Sequence, residues 1–208
     1  MSSHEKNINR REFIARTALI AVAVSMPVLN SCNDNSSDPL VHNDCETTSD
    51  ILGPFYKSGA PFQEDITPAE NTGAPFIIQG KVFGSCETTL QNAIVEIWNA
   101  DTYGVYDTAT FKFRGQFKTE QDGAYRFKTI IPGRYLNGEL FRPSHIHFRI
   151  TAPAHQELVS QIYFKDDPYI PTDPWASNPK ASERILTIGK DVNNTDTVNF
   201  DIYLNPIA

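Results

Sequence analysis

The chain has 208 residues, 40% of them hydrophobic and 21% charged, with 11 Gly, 14 Pro and 3 Cys. Those values exclude wholesale disorder, a collagen-like repeat and a disulfide-dense small scaffold, and the length suits one domain of ordinary size. With 18 Lys and Arg against 25 Asp and Glu the net charge is −7, so the chain offers no basic face to nucleic acid, while 13 Phe and 8 Tyr provide for an aromatic-rich core.

Residues 1–31 read as an export signal. Arg10-Arg11 precede Phe13-Ile14 and an apolar run from Ala18 to Leu29, which is too short to span a bilayer, since that takes roughly 20 apolar residues. The paired arginines resemble a twin-arginine signal. Leu29-Asn30-Ser31-Cys32 resembles a bacterial lipobox, with Asn30 where a small residue is usual. Export to the cell envelope is expected, with a lipid on Cys32 as the only membrane attachment. The alternative is an N-terminal amphipathic helix with an incidental cysteine. Residues 32–50 are rich in Asn, Asp, Ser and Thr and read as a flexible tether, with the folded domain over 51–208. Cys45 and Cys86 are either two buried thiols or, in an oxidising compartment, a disulfide tying the arm to the first strand region; the bridge is the expectation.

Short strand signals follow one another from Ile51 onward. Phe76 to Phe83 is one. In the next, Ala93, Val95 and Ile97 share a face against Ile94, Glu96 and Trp98. Gln116 to Thr129 reads as a hairpin turning at Gln121-Asp122-Gly123, its second arm alternating Tyr125, Phe127, Thr129 against Arg126, Lys128. His145–Thr151, Leu158–Phe164, Arg184–Ile188 and Val198–Leu204 complete the set. No helical run exceeds about two turns after the signal. The fold class this predicts is all-β, an antiparallel β-sandwich with long loops carrying the active site.

The strand around Arg142-Pro143-Ser144-His145-Ile146-His147-Phe148 holds the chemistry. Alternation sends Ile146, Phe148 and Ile150 to the core, and His145, His147 and Arg149 the other way. Two imidazoles at i and i+2 converge on one metal ion, or they are two ordinary hydrogen-bonded histidines. No Asp or Glu in this strand supplies the carboxylate of an iron(II) facial triad. His42 lies in the tether and His155 in a turn, neither well placed; Tyr106 and Tyr135 are further candidates, and each is by default a packing residue with a bonded hydroxyl.

Ile51-Leu52-Gly53-Pro54-Phe55-Tyr56, Gly80-Lys81-Val82, Ile94 to Asp101, Gly104-Val105-Tyr106, Gly123 to Thr129, Pro132-Gly133-Arg134-Tyr135, Arg142 to Phe148 and Gln161 resemble, in order, the intradiol ring-cleavage dioxygenases. That resemblance implies an Fe(3+) cofactor held by Tyr106, Tyr135, His145 and His147. In it Tyr135 is the tyrosinate that yields to substrate, Arg142 lies beside the substrate ring, and Gln161 lies near the bound catecholate. It implies a catechol-type substrate and O2, cleavage between the two hydroxylated carbons to a cis,cis-muconate, and an oligomer of one or two chain types as a possibility. Leu136-Asn137 departs from the family, where a Pro and a bulky aromatic stand, so the pocket wall differs; an unsubstituted or alkyl-substituted catechol is preferred over a carboxylated one. Tyr103 stands where a small residue is common and is expected to narrow its loop. The rival reading is a non-enzymatic transthyretin-like or carboxypeptidase-regulatory-like module of the cell envelope. It accounts for the strands but not for Tyr106 together with the His-x-His strand.

Overall fold

A computed structural model describes residues 45–70 and 73–207; the export signal, Cys32 and the tether up to residue 44 lie outside the described residues. The strands are β1 (Pro75–Phe83), β2 (Ile94–Trp98), β3 (Arg114–Lys118), β4 (Ala124–Ile130), β5 (Tyr135–Asn137), β6 (Leu140–Arg142), β7 (His145–Thr151), β8 (Leu158–Phe164), β9 (Ile185–Leu186), β10 (Gly189–Lys190), β11 (Asp196–Asn199) and β12 (Ile202–Tyr203). One sheet runs β10-β11-β1-β12, with β4 also paired to β1. The other runs β3-β2-β7-β8-β9, and β5–β6 is a separate hairpin. Helix is confined, among the described residues, to 3-10 turns at Ile170–Thr172 and Pro179–Arg184, and no helix there is long and apolar enough to cross a membrane.

Alternation explains the packing. Phe76, Ile78 and Val82 of β1 and Tyr125 and Phe127 of β4 meet Val95 and Ile97 of β2, Ile146, Phe148 and Ile150 of β7 and Ile162 and Phe164 of β8 in one core. Each such side chain contributes roughly 1.5–3 kcal/mol by leaving water. The β7 core face is the one the sequence predicts. The sandwich is antiparallel at most joins, but β1 pairs parallel with β11 and β12, and β8 with β9.

Three expectations need correction. Gln116–Thr129 is not a hairpin. Its turn forms, with Gly123 N donating to Glu120 O at 3.0 Å, but β3 pairs with β2 while β4 runs along β1 from Lys81↔Ala124 to Pro75↔Ile130. The chain therefore crosses between sheets, and Phe117 and Phe127 meet at the core, 5.9 Å apart. Val198–Leu204 is two strands rather than one. At the break the Phe200 carbonyl crosses Gly80 so closely that a Cβ there would lie 2.1 Å from it. Finally, residues 45–50 are anchored rather than loose. Cys45 is bonded to Cys86, Thr47 N donates to Tyr203 O at 3.1 Å, and Asp50 N donates to Val159 O at 2.8 Å. The polar side chains that suggest a tether find partners as well: Thr47 Oγ1 accepts from Tyr203 N, Thr48 Oγ1 donates to Lys180 O, and Asp50 Oδ2 accepts from Arg184 Nη1.

Candidate metal centre

The outer face of β2, β7 and β8 carries the site, and the register composes it. Trp98 lies opposite His147, His147 opposite Gln161, and His145 opposite Tyr163. All these side chains are turned away from the core, yet His145 and His147 are each only 2% exposed. The cover is the segment after the anchored arm. Gly53 takes φ +75° and rests against His147, where a Cβ would lie 3.0 Å from Cε1. Trp98 stacks on that imidazole at 4.7 Å, and Phe55 stacks on Tyr106 at 4.4 Å.

Two loops deliver the tyrosines. Tyr106 follows Gly104 in the β2–β3 loop, and Tyr135 begins β5 after Pro132-Gly133. The loops interlock through glycine. Gly133 N donates to Asp101 O at 2.8 Å, a Cβ on Gly133 would sit 2.4 Å from Thr102 O, and one on Gly104 (φ +80°) 2.2 Å from Arg134 O. Only glycine permits so close a backbone contact. Asp167 then fixes the second loop to the histidine strand, its Oδ2 accepting from Arg134 Nε at 2.8 Å and Ser144 N at 3.0 Å.

The result is four rings around one point. Centroid separations are 4.9 Å for His145–His147, 5.7 Å for Tyr106–Tyr135, 5.8 Å for Tyr135–His145, 6.0 Å for Tyr106–His147 and 6.5 Å for Tyr106–His145. His145 Nδ1 donates to Pro143 O at 2.7 Å, which leaves Nε2 as the acceptor for the Tyr106 hydroxyl at 3.1 Å. Burial, then the Arg142 charge, pushes His145 down to about 4. Burial, then the His145 charge, holds His147 well below its usual range. Burial, then Tyr135, pushes the Tyr106 phenol up. Both imidazoles are thus neutral and able to ligate, and His147 Nδ1 is buried with no hydrogen-bond partner among the described residues.

Among the described residues no group of three or more His, Cys, Asp or Glu could hold a metal ion. A metal here depends on the phenol oxygens. Two phenols that become anionic beside a cation, with two neutral imidazoles, suit a hard, highly charged ion.

Arg142 lies at the edge of this cluster, paired in register with Tyr135. It is 2% exposed; Nε donates to Asp173 Oδ2 at 2.7 Å, and its guanidinium lies 4.4 Å over the Trp175 ring. Burial works against its charge, but the bonds to Asp173 hold it above the ordinary arginine value. Gln161 is buried and committed on both ends: Nε2 donates to Ile51 O at 2.7 Å, and Oε1 accepts from Arg142 Nη2 at 3.2 Å. Tyr103 is 83% exposed, so it points out of the loop rather than narrowing it. Asp50, Asp167, Asp173 and Tyr163 support the site and carry no motif of their own. Asp50 was masked by its polar surroundings, and the others lie far from the histidines in sequence.

The fold and this cluster define a β-sandwich with a candidate two-tyrosine, two-histidine metal centre. The family described as Dioxygenase matches residues 51–206. 6-Chlorohydroxyquinol 1,2-dioxygenase of Cupriavidus pinatubonensis (strain JMP 134 / LMG 1197) is 32% identical over 184 residues, 77% of this chain and 65% of that protein. Catechol 1,2-dioxygenase 2 of Acinetobacter lwoffii is 31% identical over 146 residues, 60% of this chain. The chain spans 65% and 53% of the lengths of these two relatives. The solved dioxygenase domain of a dioxygenase carbohydrate-binding protein fusion from Streptomyces sp. SirexAA-E superposes with TM-score 0.69 at 30% identity, covering 78% of this chain and 99% of that one. The chain belongs to the intradiol ring-cleavage dioxygenase family.

Proposed function

We propose that this chain is a non-haem iron(III) intradiol dioxygenase that cleaves a catechol with O2 between its two hydroxylated carbons to a cis,cis-muconate. The convergence of two phenols and two neutral imidazoles is the observation that carries the reading, and the family assignment favours it over a non-enzymatic envelope module. Tyr106, Tyr135, His145 and His147 would hold the ion. Bound there, iron(III) would supply Lewis acidity and an electron sink for a catecholate.

The chain's own groups do the rest. Tyr135 opens β5 and is less buried than Tyr106, so it is the tyrosine placed to meet the substrate and take a hydroxyl proton at its Oη. Arg142 keeps its charge at any working pH and stabilises negative charge developing on the ring. Gln161 acts through Arg142, whose Nη2 it receives, and Phe55 and Trp98 keep water from the rings.

Arg142 is paired with Asp173 and Arg134 with Asp167, so neither is left as an unmatched cation for a substrate carboxylate. An unsubstituted or neutrally substituted catechol is the expected substrate. We also propose export to the cell envelope; the Cys45–Cys86 disulfide supports it, since such bonds persist in oxidising compartments.

The test is purification of the full chain with iron analysis, a visible spectrum, and oxygen uptake across catechol, 4-methylcatechol, 4-chlorocatechol and protocatechuate, with product identification. Iron, a tyrosinate-to-iron absorption band and a muconate product are expected. A colourless, iron-free protein without oxygen uptake on any of these would end the proposal.

A further inference from the structure

Behind Arg142 lies a buried polar chain that the reaction described above does not use. Tyr163 stands two residues after Gln161 on β8 and is fully buried. Three groups surround its hydroxyl: Arg142 Nη2 at 3.1 Å, Asp50 Oδ2 at 2.9 Å and Gln161 Oε1 at 3.2 Å. Proton counting assigns the roles. Arg142 has only N–H to offer, so Tyr163 Oη accepts from it. Of its two possible acceptors, the single hydroxyl proton goes to the Asp50 carboxylate, the shorter and charge-assisted bond, rather than to Gln161 Oε1.

Asp50 is in turn held by Arg184, whose Nη1 reaches Asp50 Oδ2 at 2.6 Å and Gln161 O at 2.8 Å, and whose Nε reaches Thr48 Oγ1 at 2.9 Å. Two guanidiniums and two carboxylates, Arg142 with Asp173 and Arg184 with Asp50, therefore form balanced buried pairs, joined through Tyr163 and Gln161. The bonds of Arg142 to Asp173, Gln161 and Tyr163 run through Nε and Nη2.

We propose that Tyr163, oriented by Asp50 of the N-terminal arm, is a positioning residue for Arg142, which makes the arm a working part of the site. The inference rests on the intradiol reading. Without the Tyr163 hydroxyl, Nη2 keeps only Gln161 and the longer 3.4 Å contact to Asp173 Oδ1. The guanidinium can then pivot about its Nε–Asp173 bond, and a charge that stabilises a transition state works only when it is already aimed.

The experiment is a double-mutant cycle in the iron-loaded full chain, with Tyr163→Phe, Arg142→Lys and both together. Steady-state oxygen uptake with catechol and a visible titration with 4-nitrocatechol are the two readouts. Tyr163→Phe is expected to keep the iron content and tyrosinate band and to lower kcat about tenfold or more, with a smaller change in KM. In the Arg142→Lys background the same change is expected to cost less than about twofold, because the residue it acts through is gone. Asp50→Asn should follow Tyr163→Phe in direction. Equal fold-losses in both backgrounds, or a Tyr163→Phe enzyme within about twofold of the parent, overturn the proposal while leaving the intradiol reading intact. A parent protein that neither binds 4-nitrocatechol nor consumes oxygen with catechol overturns both.

Discussion

Tyr135 and Tyr106 are chemically the same side chain in two settings. Tyr106 is almost wholly buried, stacked on Phe55 and bonded to His145, whereas Tyr135 is only half-buried. Tyr135→Phe removes one donor and one proton acceptor and leaves the other three rings in place. Metal analysis should find iron retained in part, with oxygen uptake falling by about a hundredfold or more. The histidines set a pH response in the metal-free protein. His145 is pushed down to about 4, while an unfolded histidine titrates near 6.5. As pH falls below 6.5 the unfolded chain takes the proton first, so the fold loses stability from there down to about pH 4. The slope is at most about 1.4 kcal/mol per pH unit for this one side chain. Urea unfolding of the metal-free protein should show a midpoint that drops between pH 7 and pH 5, and His145→Gln should flatten that drop. A midpoint constant over this interval would contradict a buried neutral His145.

At the scale of elements, the two loops and the histidine strand stand or fall together. Gly104→Ala would put a Cβ 2.2 Å from the Arg134 carbonyl, in a backbone conformation with φ +80° that alanine resists. The loops would have to part, and Tyr106 and Tyr135 with them. A loss of about 2–4 kcal/mol in unfolding free energy is expected, with the tyrosinate band weakened more than catechol binding alone explains. Here the sequence was readable in part. Period-two alternation located β7 and β8 to the residue and sent His145 and His147 away from the core. It did not show that β3 and β4 belong to different sheets, because a tight turn at Gly123 serves a hairpin and a sheet crossing equally well. Nor did it show that the outward face of β7 is covered, since that cover comes from residues nearly a hundred positions away.

At the scale of the whole molecule, the Cys45–Cys86 disulfide and the core between the two sheets hold the described residues together. The Cys45–Cys86 bond closes a loop of 41 residues and holds the arm whose continuation covers the rings. Loop-closure entropy values such a bond at about 4 kcal/mol. The Cys45→Ser, Cys86→Ser chain should unfold at correspondingly lower denaturant and release iron faster, as followed by the tyrosinate band during dilution into chelator. Phe148, 6.4 Å from Tyr125 of β4 and 5.3 Å from Phe200, reports on the core. Phe148→Ala should cost about 3–5 kcal/mol without altering the absorption maximum of the protein that remains folded.

Alternation and turn residues by themselves pointed to an all-β sandwich, and the resemblance of the ordered motifs to the intradiol dioxygenases implied the family and the four rings as donors. Those features are local: a strand's two faces and a motif's residue types are written in consecutive positions. The tertiary structure alone decided that the four rings meet, that Asp50 bonds Tyr163 and Arg184 rather than lying in a tether, and that Arg142 is held by Asp173, Gln161 and Tyr163. These depend on hydrogen bonds and backbone contacts between residues up to more than a hundred positions apart, such as Asp50 with Tyr163. No periodicity records which distant partner satisfies a buried polar group; only the folded chain, where each such group must find one, does.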